Sequence, residues 1–533
     1  MSDSPDAAVT TPAKERYRLP RPPSAALRAG LAVAAGAALA AAFAPLGLWP
    51  LAVLCPAVLL WLWQDATPGE AARLGFCFNC ATFAAGTYWV YASIHVHGPA
   101  PVWLALFLLL GLVGVMGLYH AALGYAVARW LPPSGAVRWL AALPAAWLLV
   151  EWWRGWFLSG FGWLSLGYSQ TDTWLAGFAP VVGVYGISAL LLVSAGALVA
   201  LAGGARRARI LAGLLLIAPW PLGAALHGHS WTQAAGAPVS VAVIQGAIPQ
   251  DEKWLESNRE TTLNLYQTLT EKALALGTQL IVWPESAPAD LANDLVPYIR
   301  GLYSEAYSHG SALVLGVLRA QGGGADNAAP RYFNSVLALD PLDQKVSWYD
   351  KHHLVPFAEI FPVPRFVRSW MRLMSLPYSD FTPGAADQPP LPAAHLRLSA
   401  TVCYEDAYGS SMLRALPAAD ALVNVTNDAW FGHSSARHQH FQIARMRALE
   451  EGRYLVRAAN DGISAVIGPH GEVMARAPEF RPWVLVSRIV PLTGLPPYAH
   501  VGNWLILSLA ALALAYGLWV RNDRGRRTAA GRS

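Results

Sequence analysis

Three residues in the second half of the chain carry side chains that together suit acyl chemistry: a carboxylate, an ammonium and a thiol. Glu285 closes the run Ile281-Val282-Trp283-Pro284, Lys351 follows Trp348-Tyr349-Asp350, and Cys403 follows Leu398-Ser399-Ala400-Thr401-Val402. Each comes just after a short strand-forming run, rich in β-branched or apolar residues before Glu285 and Cys403 and aromatic before Lys351. In α/β sheets the C-terminal ends of strands open on a common crevice. A Glu there takes the thiol proton as general base, a Lys stabilises the thiolate and the oxyanion of a tetrahedral intermediate, and the Cys attacks a carbonyl. Taken singly, each residue has an ordinary explanation: a turn carboxylate, a solvated amine, a packed thiol. Pro284 beside the Glu and Leu354-Val355-Pro356-Phe357 after the Lys speak against plain exposure. Three coincident placements favour a site.

The cysteine count bears on the same point. Cys55, Cys77 and Cys80 lie in strongly apolar segments, which leaves Cys403 alone in the polar half. A thiol without a local disulfide partner is either inert packing or a reactive group. Cys77-Phe78-Asn79-Cys80 has CxxC spacing, but it sits inside an apolar run with no second pair and no clustered His. Packing is the expected role there, rather than redox or metal chemistry.

The elements that must position the three residues begin at Pro238. Strands are expected at 239–245, 279–283, 312–318, 333–339, 345–349, 396–402, 421–425, 454–459, 463–467 and 483–489, with helices near 251–276, 290–309 and 436–451. Short β-rich runs separated by helices read as a layered α/β domain.

Ahead of that domain the composition changes. The 533-residue chain is 55% hydrophobic, with 23 Trp, and only 13% charged, against about 25% charged in ordinary soluble proteins. The apolar residues fill 24–227, thin out over 228–500 and return at 503–520. A spanning helix needs about 20 apolar residues. Seven spans are expected before the α/β domain, at about 24–44, 47–64, 71–93, 101–128, 136–153, 174–202 and 208–226, and an eighth at 503–520. The first is expected to be retained, since no isolated cleavage site follows it. Basic residues fall on alternate loops: Lys14 to Arg28, Arg73, Arg129 and Arg138, Arg206 to Arg209, and Arg521 to Arg527. By the positive-inside rule these loops are cytoplasmic, which places 228–500 outside. The net charge of +5 is then a topology signal, and a nucleic-acid partner is not expected. Domains are expected at 1–23 (cytoplasmic tail), 24–227 (seven spans), 228–500 (outer α/β domain) and 501–533 (eighth span and tail). Glu151-Trp152-Trp153-Arg154 places two charges on one helix face ahead of Ser159-Gly160-Phe161-Gly162-Trp163. That polar, Gly-rich turn reads as a re-entrant loop able to meet the outer domain.

Trp283-Pro284-Glu285, Lys351 within Tyr349-Asp350-Lys351-His352-His353-Leu354-Val355-Pro356-Phe357-Ala358-Glu359, and Cys403-Tyr404-Glu405 resemble the Glu–Lys–Cys triad of the nitrilase superfamily. With the spans before and after, residues 25–520 resemble its membrane-embedded branch, the apolipoprotein N-acyltransferases. Gln245 to Gln250, Lys253-Trp254, Asn424 to Gly432, Arg447 to Glu450 and the Glu151 to Gln170 stretch carry the same likeness. The resemblance implies an αββα sandwich outside the cytoplasm, with Glu285, Lys351 and Cys403 catalytic. It adds Glu359, holding Lys351, and Tyr404 and Glu405 in support of the nucleophile, with the Tyr404 N–H as an oxyanion donor. Trp254 corresponds to a residue on a mobile arm. The likeness implies ping-pong acyl transfer from a phospholipid, through a Cys403 thioester, to the amine of a diacylglyceryl apolipoprotein, with no cofactor and no metal. It places the chain in the bacterial inner membrane, where a monomer is expected. Ala247, Ala358 and Gly162 depart from common family residues without touching the triad.

A second arm, 360–376, with Trp370, Met371 and Met374, is a candidate for admitting acyl chains, against the alternative of ordinary core packing. Two other functions stay open at this point. A membrane-anchored amidase would share the triad without needing eight spans, and a lipid-binding scaffold would not need the triad intact.

Overall fold

The computed structural model describes residues 20, 22, 24–98, 100–203, 205–322, 330–341, 344–356, 358–360 and 381–530. Its first half is helical. Helix α1 (Ala25–Leu39) starts at Ser24, whose hydroxyl accepts a hydrogen bond from the Leu27 N–H at 3.1 Å, satisfying one of the open amides of the first turn. Then come α2 (Leu51–Leu62), α3 (Pro68–Gly86), α4 (Val102–Trp130), α5 (Leu143–Arg154), α6 (Ala179–Gly203), α7 (Arg206–Ile217) and α8 (Pro219–His227). Helices α3 and α4 approach at the backbone. A methyl group on Gly75 would lie 2.3 Å from the His120 carbonyl, and one on Gly124 2.3 Å from that of Ala71. Small residues at a crossing allow this closeness, as in membrane bundles. Cys80 sits in the same crossing with its Sγ 3.5 Å from the Val113 carbonyl on α4.

Among the described residues, five helical stretches are long and apolar enough to cross a bilayer: Ala25–Ala42, Val102–Trp130, Trp174–Gly203, Arg206–His227 and Trp504–Asp523. The other three expected spans form helices of different character. Helix α2 has 12 residues, about 18 Å at 1.5 Å per residue, against a hydrocarbon core of about 30 Å. Helix α3 carries Glu70, Arg73 and Asn79 and ends at Gly86, before two short turns at Trp89–Tyr91 and Ala92–Val96. A widened turn at Arg138–Ala142 leads into the 12-residue α5.

The second half is a two-sheet sandwich. Strands β1 (Val239–Gln245), β2 (Leu280–Val282), β3 (Ala312–Gln321), β4 (Arg331–Asp340), β5 (Lys345–Asp350) and β12 (Trp483–Ile489) form one sheet in the order β12-β1-β2-β3-β4-β5. Strands β6 (Leu391–Ala393), β7 (Leu396–Val402), β8 (Ala421–Thr426), β9 (Leu455–Ala459), β10 (Ala465–Ile467) and β11 (Val473–Arg476) form the other, in the order β11-β10-β9-β8-β7-β6. Alternate residues of facing strands fill the space between the sheets: Val241, Val243, Val282 and Val314 from one, Leu398, Val402, Val423 and Val425 from the other. The opposite phase of the first sheet, with Ile244, Ile281 and Leu313, packs under α9 (Arg259–Ala275) and α10 (Val296–Ser308). The second sheet packs under α11 (Ala436–Glu451). Strands buried on both faces carry apolar residues in both phases, and the layers stack as αββα. Helix α12 (Trp504–Ala530) closes the described chain.

Helix α11 also joins the two halves. The Gln439 side-chain oxygen accepts from the Trp163 indole at 2.8 Å and from that of Trp89 at 3.3 Å. Near the helix end, a Glu450 oxygen accepts from the Val184 N–H at 2.6 Å. That amide is freed where Gly183, at φ 66° and ψ −177°, interrupts α6. The 155–170 stretch does meet the α/β domain. Arg154 donates to the Phe161 and Trp163 carbonyls at 2.6 and 2.7 Å, and Glu151 accepts from the Leu166 N–H and the Ser188 hydroxyl. The two charges fold the turn that presents Trp163.

Candidate active site

Strand direction brings the polar residues to one edge. Strands β1, β2 and β3 run parallel, and so do β7, β8 and β9. Strand β5 lies two antiparallel steps beyond β3, so its C-terminal end returns to the edge where β2 ends. The residues just past β2, β5, β7, β8 and β9 are therefore gathered together: Glu285, Lys351, Cys403, Asn427 and Asn460. The two sheets meet in a hydrogen bond, since Glu285 Oε2 accepts from the Asn427 N–H at 2.9 Å.

Glu285 and Lys351 are nearly closed off from solvent. Lys351 Nζ lies 2.9 Å from Glu359 Oε1 and 3.4 Å from Glu285 Oε1. Asn334 donates its side-chain amide to both carboxylates, at 2.7 Å to Glu285 and 2.9 Å to Glu359. The second Glu359 oxygen accepts from the Val355 N–H at 2.8 Å. Burial alone would favour the neutral amine, but the charges of Glu359 and then Glu285 outweigh it and hold the Lys351 proton more tightly than usual. The ammonium is a fixed positive charge.

Cys403 stands at the first residue of a tight turn, Cys403–Ala407, with φ at +54°. That left-handed conformation costs a non-glycine residue about 1–2 kcal/mol. Glu405 helps to hold it. One Glu405 oxygen accepts from the Val402 N–H at 2.8 Å and the Tyr349 hydroxyl at 3.0 Å, and the other from the His352 and His353 N–H groups at 2.7 and 3.0 Å. The nucleophile turn and the Lys351 loop are thus tied to one carboxylate. Burial, and then the charge of Glu285, push the Cys403 thiol well above its ordinary pKa, against the pull of Lys351 and a hydrogen bond with Thr426. The resting group is a thiol, so attack requires a base at the moment of reaction.

The geometry therefore brings together Glu285, Lys351, Cys403, Glu359 and Glu405. Tyr404 is buried, and its hydroxyl bonds with Tyr408 and reaches the Gly160 carbonyl at 3.3 Å. Trp254 stands apart, about half exposed at the end of the short helix Gln250–Lys253. Trp370, Met371 and Met374 lie outside the described residues. Asn334 was not singled out in the sequence: it lies in the mixed run Arg331-Tyr332-Phe333-Asn334-Ser335, where nothing marks it. Lys253, quoted only beside Trp254 as part of the likeness, was given no role. Lys253 is buried, with its Nζ 3.2 Å from the Glu285 carbonyl, and burial draws its pKa down to about 8 against the pull of Glu285. Among the described residues no group of three or more His, Cys, Asp or Glu is placed to hold a metal ion.

Comparison with known proteins fits this arrangement. Residues 35–197 match the apolipoprotein N-acyltransferase N-terminal domain, and residues 240–493 match carbon-nitrogen hydrolase. An apolipoprotein N-acyltransferase of Azotobacter vinelandii is 40% identical over 508 residues, 94% of this chain and 96% of that protein. This chain belongs to the apolipoprotein N-acyltransferase family. The family's protein from Methylococcus capsulatus is 40% identical over 512 residues, covering 94% of this chain and 99% of its own. Among solved structures, a carbon-nitrogen hydrolase from Helicobacter pylori is 20% identical over 48% of this chain and 89% of its own, with a TM-score of 0.36. Membership makes the chain an acyltransferase of the nitrilase superfamily that acts in lipoprotein maturation.

Proposed function

We propose that this enzyme takes an acyl chain from a phospholipid and passes it, through a thioester on Cys403, to the N-terminal amine of a diacylglyceryl-cysteine apolipoprotein. The observation that carries this reading is the Glu285–Lys351–Cys403 edge, fused to a helical half rich in membrane-length apolar segments. Glu285 takes the proton from Sγ as the sulfur attacks the ester carbonyl. The Lys351 ammonium and the Tyr404 N–H meet the negative charge that develops on the carbonyl oxygen. Collapse breaks the bond to the glycerol oxygen, and the proton on Glu285 goes to that leaving oxygen, releasing lysophospholipid. The acceptor amine then attacks the thioester and loses a proton to Glu285. The intermediate expels Cys403 sulfur, which recovers the proton. Glu359 and Asn334 hold the Lys351 ammonium and the Glu285 carboxylate in place throughout.

In this reading residues 24–227 form seven spans, residues 228–500 lie in the periplasm, and an eighth span returns residues 501–533 to the cytoplasm. The protein sits in the inner membrane as a monomer, and both substrates reach the site from the outer leaflet. The 360–376 arm, with Trp370, Met371 and Met374, admits the acyl chain, with Trp254 at the entrance.

The deciding experiment incubates purified protein with acyl-labelled phospholipid. A labelled thioester should appear on Cys403 and discharge onto a diacylglyceryl peptide far faster than into water. Lack of an adduct, or an adduct that persists in Cys403→Ala, contradicts the proposal. For the arm, polar substitutions at Trp370, Met371 and Met374 should slow acylation by long-chain donors, and unchanged turnover rules that part out.

A further inference from the structure

The mechanism leaves unused a closed group of charges behind the nucleophile turn. Arg457 on β9, Asp406 in the turn, and Asp428 and His440 on the far side are all fully buried. Arg457 lies 2.9 Å from Asp428 and 3.3 Å from Asp406. His440 places Nδ1 2.9 Å from Asp428 Oδ1 and Nε2 3.1 Å from Asp406 Oδ1. His440 Nδ1 also lies 2.9 Å from Arg457 Nη2 and so faces a donor as well as a carboxylate, whereas Nε2 faces only acceptors and donates. The His440 pKa rises to about 9. Burial and the nearby Arg457 charge lower it, but the two carboxylates outweigh them. Asp428 falls to about 2, as Arg457 and His440 overcome the cost of its burial.

This group reaches the site at two points: Thr426, whose hydroxyl donates to Asp428 Oδ1 at 2.9 Å, also bonds with the Cys403 thiol, and the group meets the Cys403 backbone directly. His440 Nε2 is also 3.3 Å from the Cys403 carbonyl oxygen. Asn424 on β8 donates its side-chain amide to the same oxygen at 3.1 Å. Arg457 holds the Asn424 side-chain oxygen at 2.5 Å, which fixes the amide's orientation. A trans peptide is planar, with its C=O and the following N–H pointing in opposite directions. Holding the Cys403 carbonyl down into this cradle therefore aims the Tyr404 N–H up, away from it.

We infer that His440 and Asn424 are positioning residues that clamp the Cys403–Tyr404 peptide and thereby set the oxyanion donor. The inference rests on the proposed acyl transfer, in which the Tyr404 N–H receives the oxyanion. The clamp also accounts for Cys403 keeping a left-handed backbone that nothing in its own side chain favours.

The test compares two reactions of the same thiol. Acylation by labelled phospholipid develops an oxyanion, whereas alkylation by iodoacetamide does not. Asn424→Asp keeps the shape and removes the donor. Gln at 440 places an amide near the position of Nε2, and Asn places one near that of Nδ1. Asn424→Asp and His440→Asn should slow acylation about 10- to 100-fold, the scale of a misplaced oxyanion donor, with alkylation within about threefold of wild type. His440→Gln should recover most of the acylation rate. Parallel losses in both reactions, no loss in either, or equal behaviour of the Gln and Asn variants overturns the clamp. A wild-type protein that alkylates at Cys403 but never forms the thioester overturns the acyl-transfer reading beneath it instead.

Discussion

Cys403 combines a half-buried thiol with a nearby anion and cation, and the order of these influences decides its chemistry. Burial comes first, then Glu285, both raising the thiol pKa, while Lys351 lowers it. Removing the Glu285 charge should therefore lower the pH at which the thiol ionises, although it also removes the base. In Glu285→Gln, the alkaline limb of iodoacetamide alkylation at Cys403 should move to lower pH while phospholipid acylation is lost. A limb that stays put or moves upward contradicts the assigned electrostatics. Glu359→Gln should be milder. It keeps an acceptor for the Val355 N–H and removes one of the two carboxylates beside Lys351. The Lys351 proton should be held less tightly, and acylation should slow about tenfold, as read from single-turnover rates. An unchanged rate would show that Glu285 alone is enough to hold Lys351.

At the scale of elements, α11 covers the second sheet with one face and grips the membrane half with the other. Glu450→Ala leaves the Val184 N–H, at the break in α6, without its buried acceptor. A lost partner of this kind costs about 1–3 kcal/mol. The apparent melting temperature in detergent should fall, while the thioester still forms at close to the wild-type rate in the folded fraction, because Glu450 is remote from the triad. A full loss of acylation with unchanged melting would assign Glu450 a role in the chemistry. Gly409→Ala probes the ion pair that Arg447 makes with the same carboxylate. A methyl group there would overlap the Arg447 guanidinium, so Arg447 would have to leave Glu450, with which it is ion-paired at 2.7 Å.

At the scale of the whole molecule, the fusion of a helical half to a hydrolase-like sandwich makes sense if both substrates are lipids. Diffusion in the leaflet then delivers them to a site that need not extract them into water. The proposed topology has a direct check. In a Cys403→Ala background, Leu276→Cys, on an exposed turn of the outer domain, should react with a membrane-impermeant maleimide in intact spheroplasts. Arg207→Cys, exposed in the first turn of α7, should react only after permeabilisation. The reverse pattern inverts the topology, and labelling of both from outside would remove the one span between them, at 208–226, from the scheme.

Much of this was already written in the sequence. Apolar, β-branched runs set where the strands fall, because buried strands need such residues on both faces. The same runs placed Glu285, Lys351 and Cys403 one residue or a few past strand ends. Apolar length and basic loops marked the helical half. The tertiary structure alone decided which polar residues face one another. Asn334, Asn427, Asn424 and His440 are separated from the triad by tens of residues, and hydrogen bonding depends on atoms within about 3 Å. Parallel strand order and the facing of two sheets create those distances, and local periodicity carries no record of either. The character of individual helices was also settled in three dimensions. Helix α3 ends at Gly86 although the run Tyr88 to Ile94 could by composition have continued it, whereas the 12 residues of α2 are bounded by Pro50 and by Gln64-Asp65 in the sequence itself.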